Sequence, residues 1–308
     1  MLTRREFGTL ALAAIPALQL PRRPNSVING VNVGTITYSY RSMPDQSAEA
    51  ILRYIVDSGI SQIEFMGGPV EAFAGAPRPP AGGGRGAPQT PEQQAAQREH
   101  AQRLRAWRTS VSMDKFKALR KMFNDAGVTI YAWKALGPNM SDAEMEYVFD
   151  VAEALGNTHV TLELVDDAAQ LKRLGAMGEK RKIYVAYHTH LQGSLTAFDE
   201  AFAVSKANMA NVDFGHYVAA GGDPVAFLTR FHERIASFHL KDRTTPAHGE
   251  KNLAWGTGDT PIARILQDVK KNGWKMPATI ELEYEVPAGS DAVKEVVRCF
   301  DFCRRALA

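Results

Sequence analysis

Residues 183–190 read IYVAYHTH, and their alternation is the first indication of the fold class. Ile183, Val185 and Tyr187 alternate with polar or small residues that end in His188 and His190, and a period of two predicts a β-strand. Parallel strands buried on both faces normally read as continuous apolar runs. Histidines on one face of such a strand therefore predict that this face looks onto a polar interior.

On both sides of this stretch, short strand-like runs alternate with amphipathic helical segments. The predicted strands are Val33–Tyr40, Gln62–Gly67, Thr129–Lys134, His159–Leu164, Ile183–His190, Asn211–Gly215, Ile235–Lys241 and Thr279–Tyr284. The predicted helices are Ser47–Ser58, Asp114–Ala126, Ser141–Leu155, Asp167–Glu179, Ala197–Lys206, Pro224–Arg234, Pro261–Asn272 and Asp291–Ala306. Strict alternation with this number of strands predicts an α/β fold, a single-domain (β/α)8 TIM barrel.

Two segments stand apart from the barrel pattern. Residues 1–24 carry Arg4 and Arg5, then Phe7 and an alanine-rich apolar run, and they look like a twin-arginine signal peptide with an open cleavage site. This predicts export by the twin-arginine machinery to the periplasm, leaving residues 25–308 as the barrel domain. Ala74–Gln94 is rich in Gly, Pro and Ala and is predicted to be a loop inserted after the second strand, before a helix at Glu99–Trp107.

Composition excludes several classes of protein. The chain is 45% hydrophobic and 23% charged, with a formal charge of +2. Removal of residues 1–24 takes away four arginines and one glutamate and leaves −1, which argues against nucleic acid as a partner. Two cysteines exclude a disulfide scaffold. No apolar run is long enough for a retained membrane span, and nothing in the sequence identifies a homo-oligomer interface.

Ionisable residues recur near the carboxyl ends of the later strands, where enzymes of this fold place their catalytic groups. They are Glu163, His188, Asp213, His239 and Glu281. Burial of lone carboxylates and imidazoles is costly without a partner, so their convergence predicts a shared divalent metal ion. Mixed carboxylate and imidazole ligands suit Mn²⁺, Fe²⁺, Co²⁺ or Zn²⁺ better than Ca²⁺.

Several motifs within about residues 155–305 resemble the xylose-isomerase-like barrel superfamily of sugar phosphate isomerases and epimerases. They are Tyr187–His190 (YHTH), Val212–His216 (VDFGH), Gly222–Pro224 (GDP), Arg234–Asp242 (RIASFHLKD), Trp255–Gly258 (WGTG) and Ile280–Glu281. The resemblance implies metal ligation by Asp213, His239 and Glu281, with one Mn²⁺ as the first candidate metal. The fourth ligand is either Glu163 or His188, because the family's epimerases have a glutamate where this chain has His188.

The resemblance implies a metal-dependent sugar isomerase or epimerase that acts through an enediolate intermediate. Glu163, His188 and Glu281 would share the acid and base roles, while His190, His216, Lys241, Glu283, Trp133 and Trp255 would bind the sugar. The export signal favours an unphosphorylated sugar or keto-sugar. Dehydration in the manner of inosose dehydratase, or elimination from a keto-glycoside, is the second expectation, and a non-catalytic periplasmic sugar-binding protein is the third.

Overall fold

A computed structural model describes residues 23–80, 90–137 and 140–308. Eight parallel strands pair in chain order, and the last pairs with the first to close a barrel. They are β1 Val31–Ile36, β2 Gln62–Met66, β3 Thr129–Lys134, β4 His159–Glu163, β5 Tyr184–His188, β6 Asn208–Asp213, β7 Ile235–Leu240 and β8 Ala278–Ile280. The prediction of a single-domain (β/α)8 TIM barrel is confirmed.

Helices fill the connections between the strands. They are α1 Ala48–Asp57, α2 Gly67–Phe73, α3 Pro91–Arg108, α4 Asp114–Asp125, α5 Asp142–Leu155, α6 Ala168–Arg181, α7 Asp199–Val204, α8 Phe214–Ala219, α9 Pro224–Phe231, α10 Ile262–Asn272 and α11 Ala292–Leu307. Within the described residues, no helix is both long and apolar enough to cross a membrane.

Local sequence explains where these helices begin and which face they bury. Ser141 caps α5 in a reciprocal capping box with Glu144, and Gly156 ends that helix in the left-handed conformation. On α10, Ile262, Ile265, Leu266 and Val269 form one buried apolar stripe. Such stripes pack on the outward faces of the strands and make the main hydrophobic layer.

The inside of the barrel is polar, as the alternation in the later strands predicts. Buried side chains in and just after the strands include Glu64, His159, Thr161, His188, Asn211, Asp213, Ser237, His239, Thr279 and Glu281. Each must find a partner inside the barrel, because water does not reach it. The interior is therefore a hydrogen-bonded network that ends at the carboxyl-terminal mouth.

Several predicted boundaries differ from the structure. The first predicted strand ends at Ile36 rather than at Tyr40, because Thr37–Tyr40 form a 3-10 helix. Strand β8 stops at Ile280, because the backbone of Leu282 is bonded to the Ser39 hydroxyl and the Arg41 guanidinium instead of to a neighbouring strand. Strand β6 stops at Asp213, whose carboxylate accepts from the backbone N–H of His216 and starts α8. Helix α3 begins at Pro91, inside the predicted insertion.

The start of α3 has a local cause. Thr90 and Gln93 form a capping box, and Pro91 occupies the first turn. The rest of the predicted insertion extends into residues 81–89, which lie outside the described residues. The signal peptide is predicted over residues 1–24, and residues 1–22 of it lie outside the described part of the chain.

Candidate metal centre

Four residues from consecutive strand ends meet at the carboxyl-terminal mouth of the barrel. Ligand atoms of His188, Asp213, His239 and Glu281 lie within 4.8 Å of one another, and all four side chains are buried. His239 Nδ1 lies 2.8 Å from Glu281 Oε2 and 3.9 Å from Asp213 Oδ2. We call these four residues the central cluster.

A divalent ion fits the donors of the central cluster. Two imidazoles and two carboxylates are a ligand set that Mn²⁺, Fe²⁺ and Zn²⁺ accept. Asp213 Oδ2 is buried and accepts no hydrogen bond from the described residues, even though Lys241 Nζ lies 2.9 Å away. A buried carboxylate oxygen without a hydrogen bond is costly in a protein interior, and a bound cation would satisfy it.

Glu64 on β2 is a site residue that the sequence analysis missed. Its side chain is fully buried and its Oε2 accepts from His239 Nε2 at 2.8 Å. Burial alone lowers the pKa of His239, but the charges of Glu64 and Glu281 overcome burial and raise this pKa to about 10. The same contact and the His239 charge outweigh burial at Glu64 and lower its pKa to about 2. One signal was available, since Glu64 interrupts the apolar run Ile63–Phe65.

His188 keeps a neutral imidazole in the central cluster. Burial lowers its pKa well below the usual value, and the charges of Lys134 and His239 add to this effect. Asn211 Oδ1 lies 3.0 Å from His188 Nδ1. Nε2 is therefore the ring nitrogen of His188 that remains available to bind a metal ion.

The structure does not bring Glu163 into the central cluster. Its side chain is 48% exposed at the end of β4, where it pairs with Lys134 Nζ at 2.6 Å and His190 Nδ1 at 3.0 Å. Burial raises the pKa of Glu163, but the bond from His190 and the charge of Lys134 lower it to about 2. Of the two alternatives for the fourth ligand, His188 is the one within reach of Asp213, His239 and Glu281.

Lys241 lies against the central cluster and is almost fully buried. Its ammonium is 2.9 Å from Asp213, 3.1 Å from Glu281 and 2.5 Å from Glu283. Burial by itself lowers the pKa of Lys241, and these carboxylates raise it well above its usual value. The predicted sugar ligand Lys241 is thus within hydrogen-bond reach of the cluster, and the predicted sugar ligand Glu283 contacts Lys241.

His190 and His216 lie further toward the mouth, with ring centroids 4.6 Å apart. Together with His188 they could also hold a metal by distance alone. A second cation is disfavoured there, because His216 lies between Lys241 Nζ at 3.0 Å and Arg243 Nη1 at 2.6 Å. Burial lowers the pKa of His216 to about 3, aided by Lys241, so this ring is neutral.

The two tryptophans predicted to stack on a sugar do not reach the central cluster. Trp133 is fully buried in the helix layer, with its ring edge-on to Tyr147 and its Nε1 bonded to Val148 O. A register shift in the pairing of β2 with β3 turns Trp133 outward. Trp255 packs edge-on to Phe302 of α11.

Comparison with known proteins places the chain in a family. Residues 94–303 match the model of the xylose isomerase-like TIM barrel family. Inosose dehydratase of Clostridium tetani is 23% identical over 169 residues, covering 47% of this chain and 55% of that protein. Inosose dehydratase of Clostridium beijerinckii is 30% identical over 77 residues, covering 23% and 26%. The chain thus spans about half the length, or less, of these curated relatives.

Solved structures share the fold. The probable 3-DHS dehydratase involved in petrobactin synthesis from Bacillus anthracis superposes with a TM-score of 0.62 at 14% identity, covering 88% of this chain and 98% of that one. The D-allulose 3-epimerase of Methylomonas gives a TM-score of 0.57 at 12% identity, with 90% and 98% covered. The family match spans more than half of the sequence, and on that ground the chain belongs to the xylose isomerase-like TIM barrel family.

Proposed function

We propose that this protein is a divalent-metal-dependent isomerase or epimerase of an unphosphorylated sugar or keto-sugar. The observation that carries the proposal is the buried central cluster. It holds two imidazoles and two carboxylates, and Asp213 Oδ2 accepts no hydrogen bond from the described residues. The epimerase among the structural neighbours is consistent with this reaction class. When bound, the metal would polarise a sugar carbonyl and acidify the neighbouring C–H.

The chain's own residues would hold the sugar and move the proton. The Lys241 ammonium can donate hydrogen bonds but cannot accept them, and it lies beside Glu281. It would therefore donate to an oxygen of the sugar. Glu281 is an ionised carboxylate, since Lys241 and His239 outweigh burial and hold its pKa well below the usual value. It would accept the carbon-bound proton and leave an enediolate. The carboxyl group formed on Glu281 would return this proton to the adjacent carbon, which completes an isomerisation.

The charges around the mouth favour a neutral substrate. The carboxylates are Glu64, Glu163, Asp213, Glu281 and Glu283, and the cationic groups are Lys134, His239, Lys241 and Arg243. The acidic groups exceed the cationic groups by one. A dication that replaces the proton on His239 makes the sum zero, so a neutral sugar suits the site better than a phosphate ester.

A test of this proposal measures metal content and proton exchange on the same preparations. We expect about one equivalent of Mn, Fe, Co or Zn in the purified protein and a large loss of metal in Asp213→Asn. With Mn²⁺ restored, a keto-sugar should exchange its C–H with D₂O in the wild type and not in Asp213→Asn. Wild-type protein that contains no metal and binds no added Mn²⁺ would refute the proposal.

Dehydration or elimination is the second candidate, and Lys241 is the observation that favours it. A buried ammonium next to Glu281 could protonate a departing hydroxyl or glycosidic oxygen, and the curated relatives are inosose dehydratases. The two reactions differ in their products. NMR would show an epimer in one case and an unsaturated ketone with release of water or an alcohol in the other.

We also propose export to the periplasm, which Arg4, Arg5 and Phe7 support. Cell fractionation should place the mature protein in the periplasm. The Arg4→Lys/Arg5→Lys variant should accumulate in the cytoplasm uncleaved. If the wild type and the variant were distributed alike between periplasm and cytoplasm, the proposal would be contradicted.

A further inference from the structure

A layer of buried polar side chains lies directly beneath the central cluster. Within the described residues, Glu64 is the only carboxylate of this layer that contacts an imidazole of the central cluster. Its two oxygens accept three hydrogen bonds. Oε2 accepts from His239 Nε2 at 2.8 Å and from Asn211 Nδ2 at 3.2 Å, while Oε1 accepts from Thr161 Oγ1 at 2.7 Å. Glu64, Thr161 and Asn211 are fully buried, so these bonds are held without competition from water.

The ionised carboxylate fixes the direction of the bonds that it accepts, and through them the orientation of the Asn211 amide. A carboxylate accepts only, so Asn211 must turn its amide nitrogen toward Glu64. The carbonyl oxygen of Asn211 then faces His188 Nδ1 at 3.0 Å, and that nitrogen must carry the hydrogen. The amide nitrogen also donates to Ser237 Oγ at 2.7 Å, which holds the amide in this orientation.

The consequence for both imidazoles is the same. His239 donates its Nε2–H downward to Glu64, which leaves Nδ1 facing Glu281 and Asp213. His188 donates its Nδ1–H to Asn211, which leaves Nε2. Metal-ligating histidines are commonly held in this way by a carboxylate or carbonyl behind the ring, which fixes the tautomer and makes the ligating nitrogen more basic.

We propose that Glu64 and Asn211 are positioning residues that set the tautomers of His239 and His188 and thereby the metal affinity of the central cluster. Glu64 acts on His239 directly. Asn211 passes the same constraint from Glu64 to His188. This inference rests on the proposed metal-dependent function.

The test compares metal affinity and ring tautomers in folded protein. Mn²⁺ affinity is measured by calorimetry on metal-stripped wild type, Glu64→Gln and Asn211→Leu. The matched control is Glu295→Gln, because Glu295 is equally buried and hydrogen-bonded, to Tyr284 and Ser290, but lies outside the site. Proteins labelled with ¹⁵N-histidine and loaded with Zn²⁺ report which ring nitrogen carries hydrogen.

We expect Mn²⁺ affinity to fall roughly 10–100-fold in Glu64→Gln and to stay at the wild-type value in Glu295→Gln. Wild-type spectra should show hydrogen on His239 Nε2 and His188 Nδ1, and Asn211→Leu should add an Nε2–H form of His188. Wild-type affinity in Glu64→Gln, an equal loss in Glu295→Gln, or metal on His239 Nε2 would overturn this inference alone. Wild-type protein that binds neither metal would overturn the proposed function together with it.

Discussion

His159 lies fully buried inside the barrel, at the amino-terminal end of β4. Its ring bonds to Thr158 Oγ1 at 2.8 Å and to Ser237 Oγ at 2.9 Å. Burial lowers its pKa to about 4, against a partial opposing effect of Glu64. Both ring nitrogens are satisfied by hydroxyl groups, so this histidine is a structural part of the polar interior and does not face the mouth.

We predict that His159 makes the protein sensitive to moderate acid. The unfolded chain protonates this ring near pH 6.5 and the folded protein only near pH 4, so the unfolded state binds more protons between these values. Stability should therefore decrease as the pH falls through this window, by about 3 kcal/mol from this residue. Urea denaturation at a series of pH values measures the slope.

The His159→Gln variant is the comparison for this slope. Glutamine keeps a polar group near Ser237 but does not titrate, so its stability should change less with pH across the same window. His188 and His216 titrate in the same direction and retain part of the slope in both proteins. Identical slopes in the two proteins would contradict the role given to His159.

At the scale of the element, Asp242 organises the loop that follows β7. Its Oδ2 accepts from the backbone N–H groups of Gly256, Thr257 and Gly258 at 2.7–3.1 Å, and Oδ1 accepts from Thr260 N at 3.2 Å. The carboxylate is buried. The HLKD and WGTG motifs are therefore linked physically, since one supplies the anion and the other wraps around it.

We predict that Asp242→Asn destabilises the protein by about 2 kcal/mol, because a neutral amide cannot accept all four bonds. Gly258→Ala should do at least as much, since its added Cβ would lie 2.3 Å from Asp242 Oδ1. Thermal melts measure both. Asp268→Asn is the control, because it removes a carboxylate paired with the exposed Arg264 on α10, and it should cost less than about 1 kcal/mol. A similar loss of stability in all three variants would contradict the role given to Asp242.

Helix α3 is attached to the barrel near its carboxyl end. It buries no side chain completely, and Arg108 joins it to Glu71 at 2.8 Å and Glu144 at 3.1 Å. Trp107 packs edge-on to Phe116 and Tyr147 beside this ion cluster. Arg105 adds a longer ion pair to Glu144 at 3.5 Å, so the ion pairs and the indole that hold this helix lie in its last turn.

We predict that Arg108→Met destabilises the protein by roughly 3 kcal/mol, because the buried Glu71 loses its cation and the buried Glu144 keeps only the more distant Arg105. Hydrogen exchange should increase first along α3 and at the Glu71 end of α2. Arg98→Met is the control on the same helix, since Arg98 is exposed, and it should behave as the wild type. Unchanged exchange in α3 of Arg108→Met would count against this attachment.

For the whole molecule, the sequence determines the barrel and most of its polar mouth, but not the inner layer. Alternation along the later strands predicts His188, Asp213, His239 and Glu281, because period two assigns a face without any tertiary information. Trp133 shows the limit of that rule, since a register shift reverses the face and leaves no mark in the sequence. Asn211 and Glu64 bond to each other although 147 residues separate them in the sequence. The periodicity of a single strand does not detect such a contact.

Lys241 links the stability of the whole barrel to the metal centre. In the structure it is the cation shared by Asp213, Glu281 and Glu283. Its removal would leave these carboxylates to repel one another inside a medium of low polarity. We predict that Lys241→Met lowers the free energy of unfolding of the metal-free protein by about 3–5 kcal/mol.

Divalent metal should rescue this variant. Because the ammonium repels a cation held by Asp213 and Glu281, its removal should tighten Mn²⁺ binding, and stabilisation grows with the ratio of metal concentration to Kd. Melting curves with and without Mn²⁺ should show a larger rise for Lys241→Met than for the wild type. Lys180→Met, which removes an ion pair with Glu146 between helices α6 and α5, should lose little stability and gain no extra rise. Weaker Mn²⁺ binding by Lys241→Met would show instead that Lys241 holds the carboxylates in place for the metal, so that the ammonium supports the ion it would otherwise repel.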